Sequence, residues 1–90
     1  MELSDVKAYL RVDTDEDDGL IQALMDAAEE YLAGAGIVES AGNRARYALA
    51  VKGLCLHWYD FRGDAAAGTA AVELPTGLRA VINQLKLECL

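Results

Sequence analysis

The chain has 90 residues, 53% hydrophobic and 26% charged with one proline, and its 15 acids against 8 bases leave a net charge of −7. This predicts one compact, helix-rich domain over 1–90. It argues against a protein that holds nucleic acid by neutralising phosphates, because the few bases are scattered along the chain. Acids stand in the first residues where a signal peptide carries bases, and no apolar run reaches the roughly 18–20 residues of a membrane span, so a soluble, cytoplasmic chain with no membrane partner is expected.

Ser4 is a good N-cap, and Val6, Tyr9 and Leu10 follow at helical spacing, which predicts a first helix over about 5–11 with a narrow apolar stripe. Asp13 to Asp18 then place five acids in six positions before the helical pattern restarts at Leu20, Ile21, Leu24, Met25, Ala28, Tyr31 and Leu32. Thr14 or Asp15 is expected to cap this second helix, over about 15–33, with the following carboxylates in a first turn that favours negative charge. Gly34-Ala35-Gly36 suits a left-handed C-cap, after which Ile37 and Val38 are expected to fold back onto the core.

Asn43 is a natural cap for the stretch Arg44 to Arg62, RARYALAVKGLCLHWYDFR. Its apolar residues cover so much of the helical circumference that one contact cannot bury them, so this third helix, about 44–62, is predicted to be the spine of the domain or to reach a subunit interface. Gly53 interrupts it at a cost of up to about 1 kcal/mol relative to alanine, which predicts a close helix crossing at that point. The small residues that follow carry no clear period and suggest a mobile loop over 63–74. Pro75 fits the first turn of a last helix, about 76–86, with Leu78, Val81, Ile82 and Leu85 as its core stripe and an apolar tail of Leu87, Cys89 and Leu90. The fold class is therefore all-α, a small bundle of four helices.

Chemistry is sparse. Asp13, Asp15 and Asp17 alternate as in a calcium loop, but the sixth position is Asp18 instead of glycine and the twelfth is Leu24 instead of glutamate. His57 is the single histidine, and its two-residue offset from Cys55 sets the side chains about 200° apart on a helix, so they form neither a catalytic pair nor a zinc site. It is expected at the edge of the helix packing. The cysteines lack framework spacing and read as free thiols, with a pairing left open. Trp58, Tyr59 and Phe61 with Tyr47 would need surrounding positive charge to stack bases, and only Arg62 is near. The glycines form no phosphate-binding motif. No enzyme, cofactor or metal is predicted.

In combination, LSDVKAYLRVDTDEDDGLIQALMDAAEEYL at the start, YDFRGD after the spine and LPTGLRAVINQLK near the end resemble the head-tail connector (adaptor) family of tailed bacteriophages and prophages, sometimes described as DNA-packaging proteins. The resemblance runs through Lys7, Leu10, Arg11, Asp17, Asp18, Leu20, Ile21, Tyr59, Arg62, Leu74, Pro75, Gly77, Ile82 and Leu85. It implies a non-enzymatic helical subunit in the virion neck, present in the bacterial host cytoplasm during assembly. It further implies a ring homo-oligomer, matching the twelve-fold portal, between the portal and the stopper or tail proteins at the exit channel, with DNA passing through without specific binding. The short alanine-rich connection before Leu74 and the early end of the chain depart from the family pattern, so either the 63–73 segment or the tail is expected to dock. The candidate subunit or partner interface comprises Tyr47, Trp58, Tyr59, Phe61, Arg62, Leu87 and Leu90. Asp15, Glu16, Asp17 and Asp18 form a candidate acidic channel or surface patch. A small acidic helical module that binds or regulates a partner is the alternative.

Overall fold

The computed structural model describes residues 1–60 and 74–89. Within them the chain forms four helices and no strand: α1 (Leu3–Leu10), α2 (Asp18–Gly34), α3 (Arg44–Asp60) and α4 (Thr76–Glu88). The all-α bundle expected from the periodicity is therefore present. The 63–73 part of the expected loop, and residues 61 and 62 at the end of the expected spine, lie outside the described residues.

The helix ends show how local chemistry sets boundaries. α1 starts two residues before the expected position and is capped by Glu2, not Ser4. The Asp5 carboxylate accepts the Glu2 N–H at 3.0 Å, which satisfies a donor ahead of the first turn and draws Ser4 inside the helix. At the other end Val12 N–H reaches Lys7 O at 2.9 Å and Arg11 N–H reaches Ala8 O at 3.2 Å. These two bonds make a Schellman motif with Arg11 in the left-handed position, φ 62°. α2 closes the same way around Gly36, φ 83°, with Ile37 N–H on Leu32 O at 2.9 Å, as the glycine pair predicted.

Two expected caps are not used as such. α2 begins at Asp18 after Asp17, so neither Thr14 nor Asp15 caps it; the acids ahead of it form a turn, and Asp17 turns its carboxylate to α3. Asn43 holds the cap position through its carbonyl, which accepts Tyr47 N–H at 2.8 Å. Its side chain instead folds the preceding loop, accepting from Ser40 N–H at 2.7 Å and donating to Val38 O at 3.0 Å.

α3 is the spine, touching α1, α2 and α4. Its Ala50, Val51, Leu54 and Cys55 meet Val6 of α1, Ile21, Met25, Ala28 and Leu32 of α2, and Ile82 and Leu85 of α4 in one core. Each Val, Leu, Ile or Met among them contributes roughly 1.5–3 kcal/mol when fully buried. α4 runs antiparallel to α3, since Leu78 faces Gly53 while Glu88 pairs with Arg46 at 2.6 Å. A Cβ on Gly53 would sit 2.7 Å from a Leu78 methyl, so the close crossing predicted at this glycine is present.

Candidate assembly surfaces

α3 carries a second stripe besides its core face. Leu49, Gly53, Leu56 and Asp60 follow at i, i+4, i+7 and i+11, a spacing that places them on one side of a helix. With Tyr9 of α1 and Leu78 and Val81 of α4 they line an open, mainly apolar groove of about 390 Å³. The missing side chain at Gly53 brings α4 close enough to form the far wall. The groove thus accounts for a spine that is apolar nearly all round: one stripe makes the core and the other the floor of a surface feature.

Two more apolar side chains are exposed, Leu87 in the last turn of α4 and Val38 in the loop that Cys89 touches. Leu87 and Val38 are each 70% exposed, and the Cys89 thiol lies 3.8 Å from Val38 O. Val38 was expected to fold inward with Ile37. Ile37 is buried as the residue that closes the Schellman motif, and in the non-helical stretch that follows its neighbour points away from the core.

The other candidate interface residues divide. Tyr47 is half-buried in a small pocket bordered by Met25, Glu29, Glu39 and Lys52. Burial, with Glu29 and Glu39 adding to it, pushes its phenol pKa above the ordinary value. Trp58 packs edge-on against Tyr31, ring centres 6.1 Å apart. Tyr59 donates its hydroxyl to the Asp17 carboxylate at 2.5 Å, tying the end of α3 to the start of α2. Leu87 projects outward, whereas Phe61, Arg62 and Leu90 lie outside the described residues.

The acidic run also divides. Asp15 and Glu16 are exposed, while Asp17 is engaged by Tyr59 and Asp18 forms an ion pair with Lys7 of α1 at 2.7 Å. Two of the four acids therefore serve the contacts among α1, α2 and α3. Sequence reasoning credited them to a cap because the partners, Lys7 and Tyr59, are distant in the chain and no local pattern marks them.

His57 is buried, 7% exposed, in the groove wall and not at a packing edge. Cys55 is fully buried and Cys89 exposed, both as free thiols. Desolvation, and secondarily the charge of Glu29, pushes the Cys55 thiol up to about 11, the opposite of what a reactive nucleophile needs. Among the described residues no three His, Cys, Asp or Glu side chains converge as a metal site requires.

Fold and surface together define a small all-helical protein with an open apolar groove and, among the described residues, no cluster of metal-ligating side chains. Over residues 1–87 the sequence matches the family described as Phage gp6-like head-tail connector protein, and the chain belongs to that family. It is thus a structural component that joins the head of a phage particle to its tail and contacts other proteins of both. No curated protein and no solved structure matches it. No described helix is long and apolar enough to cross a membrane.

Proposed function

We propose that the chain is one subunit of a homo-oligomeric ring placed between the portal and the stopper or tail proteins at the DNA exit channel. The observation that supports this reading is the outward apolar groove over α3, with Leu87 and Val38 exposed besides, on a chain of the connector family. A thin single-chain core gains from lateral neighbours that cover such surfaces. Leu87 and the exposed edge of the Tyr31–Trp58 pair are the contacts to expect from the described residues. Tyr47 and Tyr59 act through the packing of the subunit itself.

In this reading Asp15 and Glu16 face the channel, where carboxylates keep phosphates at a distance so that DNA slides without being held. Replacing both with lysine should slow genome ejection; unchanged ejection from particles carrying the double variant would remove the acidic-lumen role. The ring itself is tested by light scattering across a concentration series, followed by incubation with the cognate portal ring. A discrete large assembly, alone or on the portal, supports the reading. A chain that stays monomeric and is not retained by the portal favours a small regulatory module instead.

A further inference from the structure

We propose that copies of the chain join through α2 of one and α4 of the next, packed antiparallel with their outward faces together. This deepens the ring reading and rests on it. The contact follows from how exposed charge is divided between the two helices. α2 contains Asp18, Asp26, Glu29 and Glu30 and no base. Lys7 takes up Asp18, whereas Asp26 and Glu30 are exposed and form no ion pair among the described residues. α4 has the opposite balance. Its Arg79 and Lys86 are exposed and likewise form no ion pair there, and its one acid, Glu88, is held by Arg46 of α3 at 2.6 Å.

Each helix sets these charges beside a smooth exposed stripe. On α2 the stripe is Leu20, Ala27 and Tyr31 at i, i+7 and i+11, with the Tyr31 ring braced edge-on by Trp58; on α4 it is Ala80 and Leu87 at i and i+7. Both stripes turn away from the residues that each helix gives to the shared core, so the two faces of one chain cannot meet each other. Between copies they can.

The hand of the pattern fixes the direction. At 100° per residue, Asp26 and Glu30 fall about 80–120° to one side of the α2 stripe, and Arg79 and Lys86 fall about 80–120° to the same side of the α4 stripe, each viewed along its own chain. Facing helices with charge on the same hand bring those flanks together only when they run antiparallel; parallel packing puts acids and bases on opposite edges. The register that sets Arg79 beside Glu30 also brings Lys86 within a turn of Asp26 and seats Leu87 over Ala23 and Leu20. Alanines on both stripes let the helix axes approach closely. The ion pairs lie at the rim, where charge selects the partner and its register more than it binds. Acidic and basic faces belong to different helices, so the contact is heterologous, and successive copies close into a ring or extend.

Two charge reversals test it by sedimentation velocity of the full chain. Arg79→Glu adds an acid near the start of α4 and Glu30→Arg adds a base near the end of α2, so both agree with the helix dipoles and neither opposes folding, which circular dichroism and melting check. Alone, each variant sets like charges against each other and should weaken self-association at least about tenfold. Mixed in equal amounts they should associate as the parent does, since alternating copies join opposite charges at every junction. Direction is read by disulfide trapping in a Cys89→Ser background: Leu20→Cys should cross-link to Leu87→Cys of another copy, and Tyr31→Cys, roughly 13 Å away along the axis, should not. Parental association of either reversal overturns the contact, as does loss in both without recovery on mixing. Cross-linking through Tyr31→Cys in place of Leu20→Cys overturns the antiparallel arrangement. A parent chain that stays monomeric at millimolar concentration overturns the contact too, and retention of that parent on the portal ring, measured separately, shows whether the ring reading stands without it.

Discussion

Arg11 has a non-glycine side chain at φ 62°, in the place a Schellman motif usually gives to glycine. An L-residue there costs about 1–2 kcal/mol, partly offset by the greater freedom glycine has when unfolded. Arg11→Gly should therefore stabilise the chain by about 0.5–1 kcal/mol and raise its melting temperature by several degrees; a lower melting temperature would mean that the exposed arginine makes contacts worth more than its backbone strain. Cys55 gives a pH dependence of known sign. Its folded pKa is raised to about 11, so the unfolded chain loses this proton first, and the contribution to stability is complete below the ordinary thiol pKa and lost as pH rises through 11. Between about pH 9 and 11 the loss is of the order of 2 kcal/mol, and the raised Tyr47 phenol adds to it in the same direction. Denaturant titrations of the parent and Cys55→Ala should diverge in slope over that window, and a native-state alkylation assay should label Cys89 long before Cys55.

At the scale of the elements, the crossing of α3 and α4 turns on one glycine. Gly53→Ala brings up to about 1 kcal/mol of helix propensity, set against a Cβ that would lie 2.7 Å from the Leu78 methyl. In a double-mutant cycle Gly53→Ala should be neutral or unfavourable alone and favourable when Leu78 is alanine, with a coupling of about 1 kcal/mol. Strict additivity would show that Leu78 moves aside freely. This crossing was legible in the sequence because a glycine inside an apolar helix weakens that helix unless a neighbour packs against the space it leaves. The four helices were legible too, since 3.6-residue periodicity reports a buried face wherever its partner lies. The caps at Ser4 and at Thr14 or Asp15 were misread because several residues nearby can serve, and tertiary partners decide among them: Asp17 and Asp18 are held by Tyr59 and Lys7. The groove was not legible at all. Leu49 and Leu56 look like any other core residues until the path of α4 shows that the core is already full without them.

For the molecule as a whole, the net charge of −7 works against assembly, because each added copy brings more negative charge to its neighbours. Raising sodium chloride from about 50 to about 500 mM shortens the screening length from over 10 Å to under 5 Å, so association should strengthen with salt, read from the weight-average mass. Weakening would show that ion pairs formed between copies outweigh the overall repulsion. The arrangement of the helices has one more consequence. α1, α2 and α3 all touch one another, whereas α4 packs chiefly on α3 and enters the core through Ile82 and Leu85. Amide hydrogens of α4 should therefore exchange through a partial opening that leaves the other three helices closed. A helix that can leave as a unit can also be traded, and at high concentration two copies should be able to lend each other their last helices.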